Sequence, residues 1–364
     1  MTYDIGKIFE QFAIYGDYIS AAPYGSGHIN DTYKVVADQS GTTVDYIFQR
    51  INTNIFKEPV GLMDNILRVT THICGKIHGN EDASRQSLCI VPARDLKPYL
   101  VDKDGNYWRA YLFIEKAQTY DVIKNTEQAF EVARSFGNFQ KELVDIPGGR
   151  LFETIPDFHN TPKRLEALEA AIKADVKGRT KDVAAEIDFV MSRRDEVSKL
   201  IDLNAAGEIP ERITHNDTKL NNVMIDDATG KGICVIDLDT VMPGLVHYDF
   251  GDMVRTSTSP SMEDEKDLSK VYMQFDMFEA LLRGYLEAAG DFLTPAEREN
   301  LPFCGKLITL EIGIRFLTDY LSGDVYFKIH RPEHNLDRCR TQFKLVASIE
   351  EQMPRMMELL NNIK

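Results

Sequence analysis

Apolar residues recur at helical spacing at the start of the chain, where Ile5, Ile8, Phe9 and Phe12 predict a helix over residues 4–18. After Gly25 the period falls to two. Segments 32–36 and 44–48 are β-branched and aromatic, flank the turn-forming Asp38-Gln39-Ser40-Gly41, and read as paired strands. Helical periodicity returns over 60–73. From Tyr99 to Phe113 the residues alternate on either side of Asp104-Gly105, the pattern of a hairpin. Beyond it helices are expected over 127–144, 162–201, 271–289, 303–321 and from 336 onward, interrupted by one strand pair, 222–225 and 233–236. The texture changes from strands to helices at 114–119. The expected architecture is therefore α+β, with a small sheet-bearing lobe over 1–113, a hinge over 114–119 and a larger, mainly helical lobe over 120–364.

Composition excludes more than it identifies. A chain of 364 residues buries enough surface to need no disulfide or structural metal. With 42 Lys and Arg against 57 Asp and Glu, its formal charge is −15, which disfavours nucleic acids and anionic membranes as partners. The five cysteines are scattered and form no CxxC pair, so neither a disulfide framework nor a zinc site is suggested. No segment reaches the ~20 apolar residues of a membrane span, and the first residues lack the apolar run of a signal peptide. A monomer in the reduced cytoplasm is expected.

The chemistry concentrates in Thr214-His-Asn-Asp-Thr-Lys-Leu-Asn-Asn222 and Ile233-Cys-Val-Ile-Asp-Leu-Asp239. Each of these residues alone is ordinary turn chemistry. Together they form the set that phosphoryl transfer from ATP requires: a carboxylate to orient the acceptor hydroxyl and take its proton, and an amide oxygen and a second carboxylate to hold magnesium on the phosphates. Asp217 is the candidate base, Asn222 and Asp237 the candidate metal ligands, and Lys219 a cation for the transferred phosphoryl group.

His215-Asn216-Asp217-x4-Asn222 resembles the catalytic loop of protein-kinase-like folds, and Asp237-Leu238-Asp239 resembles the Asp-x-Asp/Glu metal motif of the aminoglycoside phosphotransferase and choline kinase branch. Segments 24–30, 48–56, 236–244, 264–270 and 315–321 extend the likeness along nearly the whole chain and are similar to the bacterial N-acetylhexosamine 1-kinase family. The resemblance implies a protein-kinase-like two-lobe fold with ATP between the lobes. It further implies ATP- and magnesium-dependent phosphorylation of the anomeric hydroxyl of N-acetylglucosamine or N-acetylgalactosamine. Kinases of other small alcohols, such as aminoglycosides or choline, and a nucleotide-binding pseudokinase are the competing readings. A literal Asp-Phe-Gly at 249–251 lies too far beyond Asp217 and off any strand end to be the metal motif; in the branch that the chain resembles an acid at this place buttresses the catalytic loop, which implies structural roles for Asp249 and Asp252.

On the nucleotide side, Gly25-Ser26-Gly27 is the expected phosphate-covering loop, although a simple tight turn has the same composition. The strand lysine of protein kinases is missing. Gln49 and Arg50 stand in its place, with Arg50 the candidate phosphate contact, and the following helix offers no clear Glu partner. Main-chain groups of Phe113, Ile114 and Glu115 are expected to take the adenine. On the acceptor side, Glu311, Arg315 and Asp319 recur every four residues on an otherwise apolar helix, which favours groups facing a wet pocket over buried isolated charges. Arg315, Asp319 and Tyr326 are the candidate sugar contacts, and the resemblance adds His28. His159 could approach the sugar but is read in preference as part of a surface turn, and His215 as a brace.

Overall fold

The computed structural model describes residues 3–363 except 26, 28 and 81, so Ser26 and His28 lie outside the described residues. The chain forms two compact units that alternate along the sequence. The first comprises Met1–Gln118, Asp145–Pro156 and Val223–Pro243, and the second Thr119–Val144, Asp157–Asn222 and Gly244–Lys364.

The first unit is built on an antiparallel sheet of β1 (Asp17–Pro23), β2 (Asp31–Gln39), β3 (Thr42–Arg50), β4 (Ile90–Val91), β5 (Leu100–Val101) and β6 (Tyr107–Leu112), ordered β1-β2-β3-β6-β4 with β5 also on β6. Strand alternation gives it two unlike faces. Val35, Tyr46, Phe48, Trp108 and Ala110 share a dry face, sealed by Ile5, Ile8, Phe9 and Phe12. Thr32, Gln49 and Arg109 stand opposite one another across β2, β3 and β6 on the other face. The expected first helix is short. Asp4 caps α1 (Ile5–Phe9), and then Phe12 and Ala13 turn aside to bond the main chain at Pro92 and Ala93, freeing 17–23 to become β1.

Helix α2 (Pro59–Ile77) starts on a proline that has no N–H to waste and buries Leu62, Met63, Ile66, Val69 and Ile73. Its one buried amide, Asn65, donates to the carbonyls of Phe152 and Val241 and accepts from the Phe152 N–H. A second sheet of β7 (Ala117–Gln118), β8 (Val223–Asp226) and β9 (Gly232–Val235) explains why 223–243 belongs here, since β7 pairs with β8. Arg85 reinforces that joint through Asp226 and the carbonyls of Glu115 and Lys116.

The second unit contains α3 (Thr126–Glu142), α4 (Thr161–Ala174), α5 (Val246–Ser257), α6 (Phe275–Ala289), α7 (Leu301–Ser322) and α8 (His334–Asn362). Close helix approach depends on small residues. A Cβ on Gly284 would lie 2.2 Å from the Phe130 carbonyl, and one on Gly251 2.6 Å from that of Cys304. The region expected as one helix over 162–201 is broken, because Asp175 takes a left-handed backbone that ends α4 and shorter helices follow at Ala184–Met191 and Lys199–Ala205. Among the described residues no helix is long and apolar enough to cross a membrane. The α+β class holds, with strands early and helices late.

Candidate active site

In the second unit the short strand Arg212–Thr214 leads into loop 215–219 and the turn Leu220–Asn222. Asp249, one turn into α5, holds this loop. Its carboxylate accepts the N–H of His215 at 2.9 Å and of Asn216 at 2.6 Å, and the Gln140 amide at 2.7 Å, while its carbonyl accepts the Thr218 hydroxyl. Burial pushes the Asp249 carboxyl up, opposed by His215 and these donors. The Asp-Phe-Gly lies inside α5 rather than at a strand end, as expected of a brace.

Asn216 has a left-handed backbone (φ 64°), which turns the chain sharply ahead of Asp217. The partly exposed Asp217 carboxylate lies 3.0 Å from the Lys219 ammonium. The Asn222 amide nitrogen donates to the Asp217 carbonyl at 2.7 Å and to its carboxylate at 3.3 Å. Neither bond uses the Asn222 amide oxygen. Asp217, Lys219 and Asn222 are thus brought together.

In the first unit Val223 pairs with Val235, so Ile236-Asp237 leaves the β8–β9 hairpin at the end where Val223 begins it. Asp237 is left-handed (φ 58°) and opens the turn Leu238–Thr240. The Asp237 carboxylate, like the Asn222 amide oxygen of the second unit, is by its own chemistry a hard oxygen donor of the kind magnesium takes. Among the described residues no group of three or more His, Cys, Asp or Glu side chains could hold a metal ion.

Other expected contacts differ. Arg50 bonds Asp31 at 2.7 Å and lies over the Tyr3 ring, on the face of the sheet that carries Trp108. Alternation puts Arg109 on the opposite face, where it pairs with Asp239, so Arg50 does not share the Arg109–Asp239 side. Lys34 of β2 is on that opposite face, 2.7 Å from Asp45 and over the Phe113 ring. Phe113 N–H bonds the Asp45 carbonyl and the Glu115 carbonyl accepts from Arg85, so those two hinge groups are already engaged. Gly25 has φ 80°, a conformation suited to glycine, and side-chain space at Gly25 and Gly27 is open.

On the acceptor side the largest departure is His159. Far from an exposed turn, it is 6% exposed. Its Nδ1 faces the Glu311 carboxylate at 2.9 Å and its Nε2 the Asn216 carbonyl at 3.1 Å. Two acceptors require two ring protons, so the imidazole is charged. Burial pulls its pKa down, but Glu311 more than offsets this and the net direction is up; Glu311 is held below its ordinary value, with His159 overcoming the upward push of burial. Thr161 donates to the second Glu311 oxygen. Asp319 is not free to meet a substrate. Its carboxylate accepts the N–H groups of Val325, Tyr326 and Phe327 and the Asn335 amide. Arg315 alone of the three helix charges keeps an open side, framed by Phe158, Tyr326 and Phe327 with ring centroids 5.4–5.8 Å away. Arg164 stands beside it. Burial first, and then the Arg315 charge, pull the Arg164 guanidinium down, and its Nε has no partner among the described residues.

Sequence reading missed Lys34, Asn65, Arg109 and Arg164, and for His159, in Asp-Phe-His-Asn-Thr-Pro just ahead of a helix, it preferred a surface turn.

A sheet-bearing unit with an acid-led turn, and a helical unit with a braced His-x-Asp-x4-Asn loop, define a phosphotransferase of protein-kinase-like fold. The chain belongs to the phosphotransferase enzyme family (APH), whose profile matches residues 20–299. Among solved structures it is similar to an aminoglycoside phosphotransferase from Alicyclobacillus acidocaldarius (10% identity, 98% of each chain, TM-score 0.64). It is also similar to choline kinase from Cryptosporidium parvum (15%, 99% of this chain and 98% of that one, 0.59) and to a microcompartment-associated aminopropanol kinase (14%, 97% and 98%, 0.59).

Proposed function

We propose that this phosphotransferase is an ATP-dependent kinase that phosphorylates the anomeric 1-hydroxyl of N-acetylhexosamines, N-acetylglucosamine or N-acetylgalactosamine, in sugar salvage. Asp217 orients the hydroxyl and takes its proton as the sugar oxygen bonds to the γ-phosphorus and the bond to ADP breaks. Lys219 balances the charge on Asp217 and on the transferred group. Asn222 and Asp237 would hold magnesium, which supplies charge neutralisation on the phosphates. The Phe113 carbonyl and Glu115 N–H are the hinge groups proposed for adenine, and Gly25–Gly27 the phosphate loop.

The observation that carries the acceptor class is the pair Arg164 and Arg315 among aromatic rings, joined to the catalytic loop through Glu311, His159 and Asn216. Neither guanidinium has a carboxylate ion pair among the described residues. Two guanidiniums repel a cation and donate to the carbonyl and hydroxyl oxygens of a neutral acetamido sugar. A second reading, a kinase of small amino alcohols, is favoured by the names of the similar structures, which specify aminopropanol, choline and aminoglycosides.

A panel of acceptors with ATP and magnesium decides between them. N-acetylhexosamines are expected to give a 1-phosphate, at a kcat/KM at least about 100-fold above that for glucosamine, choline or aminopropanol. Phosphorylation of the amines alone would remove the sugar reading. Asp217→Asn is expected to lower kcat by about 10²–10⁴ with nucleotide affinity retained. Full turnover in that variant would take the base role from Asp217.

A further inference from the structure

Asp239, the second acid of Asp237-Leu238-Asp239, stands where the motif suggests another metal carboxylate. It is buried, and both its oxygens are occupied. Oδ1 accepts from the Arg109 guanidinium and Oδ2 from the Asn30 amide at 2.7 Å. Arg109 is 1% exposed; its Nε donates to Gln49 at 2.9 Å, and Gln49 donates in turn to Thr32 at 3.0 Å. The Asn30 side-chain oxygen, Oδ1, accepts the main-chain N–H of Asn52 at 3.0 Å. One hydrogen-bonded chain therefore crosses β6, β3 and β2. It reaches Asn30, just after the Gly25–Gly27 loop, and the turn that Asp237 opens. Asp237 holds a left-handed backbone, a conformation less common for residues with a side chain than for glycine, at the start of this turn. Releasing Asp239 to a metal would leave Arg109 buried and unpaired, which is strongly unfavourable.

We propose that Arg109 is a positioning residue for metal–nucleotide binding. By holding Asp239 it fixes the turn that presents Asp237, and Asp239 is not a metal ligand. The inference rests on the reading above that Asp237 helps hold the metal.

The test uses the full chain with Mn²⁺ and ADP, read by electron paramagnetic resonance of bound Mn²⁺ and by fluorescence of the single tryptophan, Trp108, adjacent to Arg109. The variants are Asp237→Asn, Asp239→Asn, Arg109→Gln and the double Arg109→Gln/Asp239→Asn, which exchanges the ion pair for an uncharged amide pair. Circular dichroism establishes folding. Asp237→Asn and both partner singles are expected to weaken Mn²⁺–ADP binding about 10–100-fold. The double variant is expected to recover to within about 5-fold of the unaltered chain, with unchanged Mn²⁺ stoichiometry, because neither buried charge is left alone. Loss of a ligand is not repaired in this way. A double variant weaker than that, or one Mn²⁺ fewer in Asp239→Asn, overturns the proposal. Should a partner single fail to fold, the double variant against the unaltered chain decides by the same threshold. No Mn²⁺–ADP binding by the unaltered chain removes the metal-site reading itself and the inference with it, a result distinct from the others.

Discussion

His159 illustrates how one side chain can tie helix α7 to the loop 215–219. Its charged ring sits between an anion and a carbonyl, so its contribution depends on pH in a defined direction. The His159 pKa is raised from 6.5, so its stabilisation is complete below 6.5 and is lost as pH rises through the higher folded value. Glu311 is lowered from 4.5, so its part is complete above 4.5 and is lost as pH falls through the lower folded value. Urea unfolding of His159→Gln against the unaltered chain should show a gap of about 2 kcal/mol between pH 4.5 and 6.5, shrinking in more alkaline buffer. A gap that stays flat to alkaline pH would mean a neutral ring. The Asp217 loop was legible because its chemistry is local, all within 214–222. The partners of His159 and Arg109 were not, since they lie 152 and 130 positions away and only tertiary packing or strand register brings them near.

Helix α7 places Glu311, Arg315 and Asp319 one turn apart, and the apolar remainder correctly indicated burial. Spacing alone could not separate their roles. Both carboxylate oxygens of Glu311 and of Asp319 are engaged by donors, whereas Arg315 has no carboxylate ion pair among the described residues. Asp319 instead organises segment 325–327, and with it the Tyr326 ring beside Arg315. Asp319→Ala should release three main-chain N–H groups and raise the acceptor KM about 10-fold while changing kcat less. Steady-state kinetics at saturating nucleotide would check it, and an unchanged KM would deny the segment any part in acceptor binding. Elements with strong periodicity, such as 60–73 and 303–321, matched closely. Those at 4–18 and 162–201 did not, because pairing at Phe12–Ala93 and the left-handed Asp175 outweigh local propensity.

For the molecule as a whole, the charge of −15 is a destabilising self-repulsion that dissolved ions screen. Raising ionic strength from about 10 to 150 mM should lift the melting temperature by roughly 2 °C or more, measured by calorimetry at neutral pH. A fall would mean that local ion pairs outweigh the global term. The return of 145–156 and 223–243 to the first unit was not visible in the sequence, because it depends on β7 pairing with β8 across more than a hundred residues. That interleaving has a consequence for biosynthesis. A ribosome adding about 5–20 residues per second must pass residue 243 before the last piece of the first unit emerges. Until then β7 waits without its neighbour and Arg109 without its counter-ion, so a gene cut after residue 118 yields a fragment that keeps the dry face of its sheet but carries a buried guanidinium with nothing to balance it.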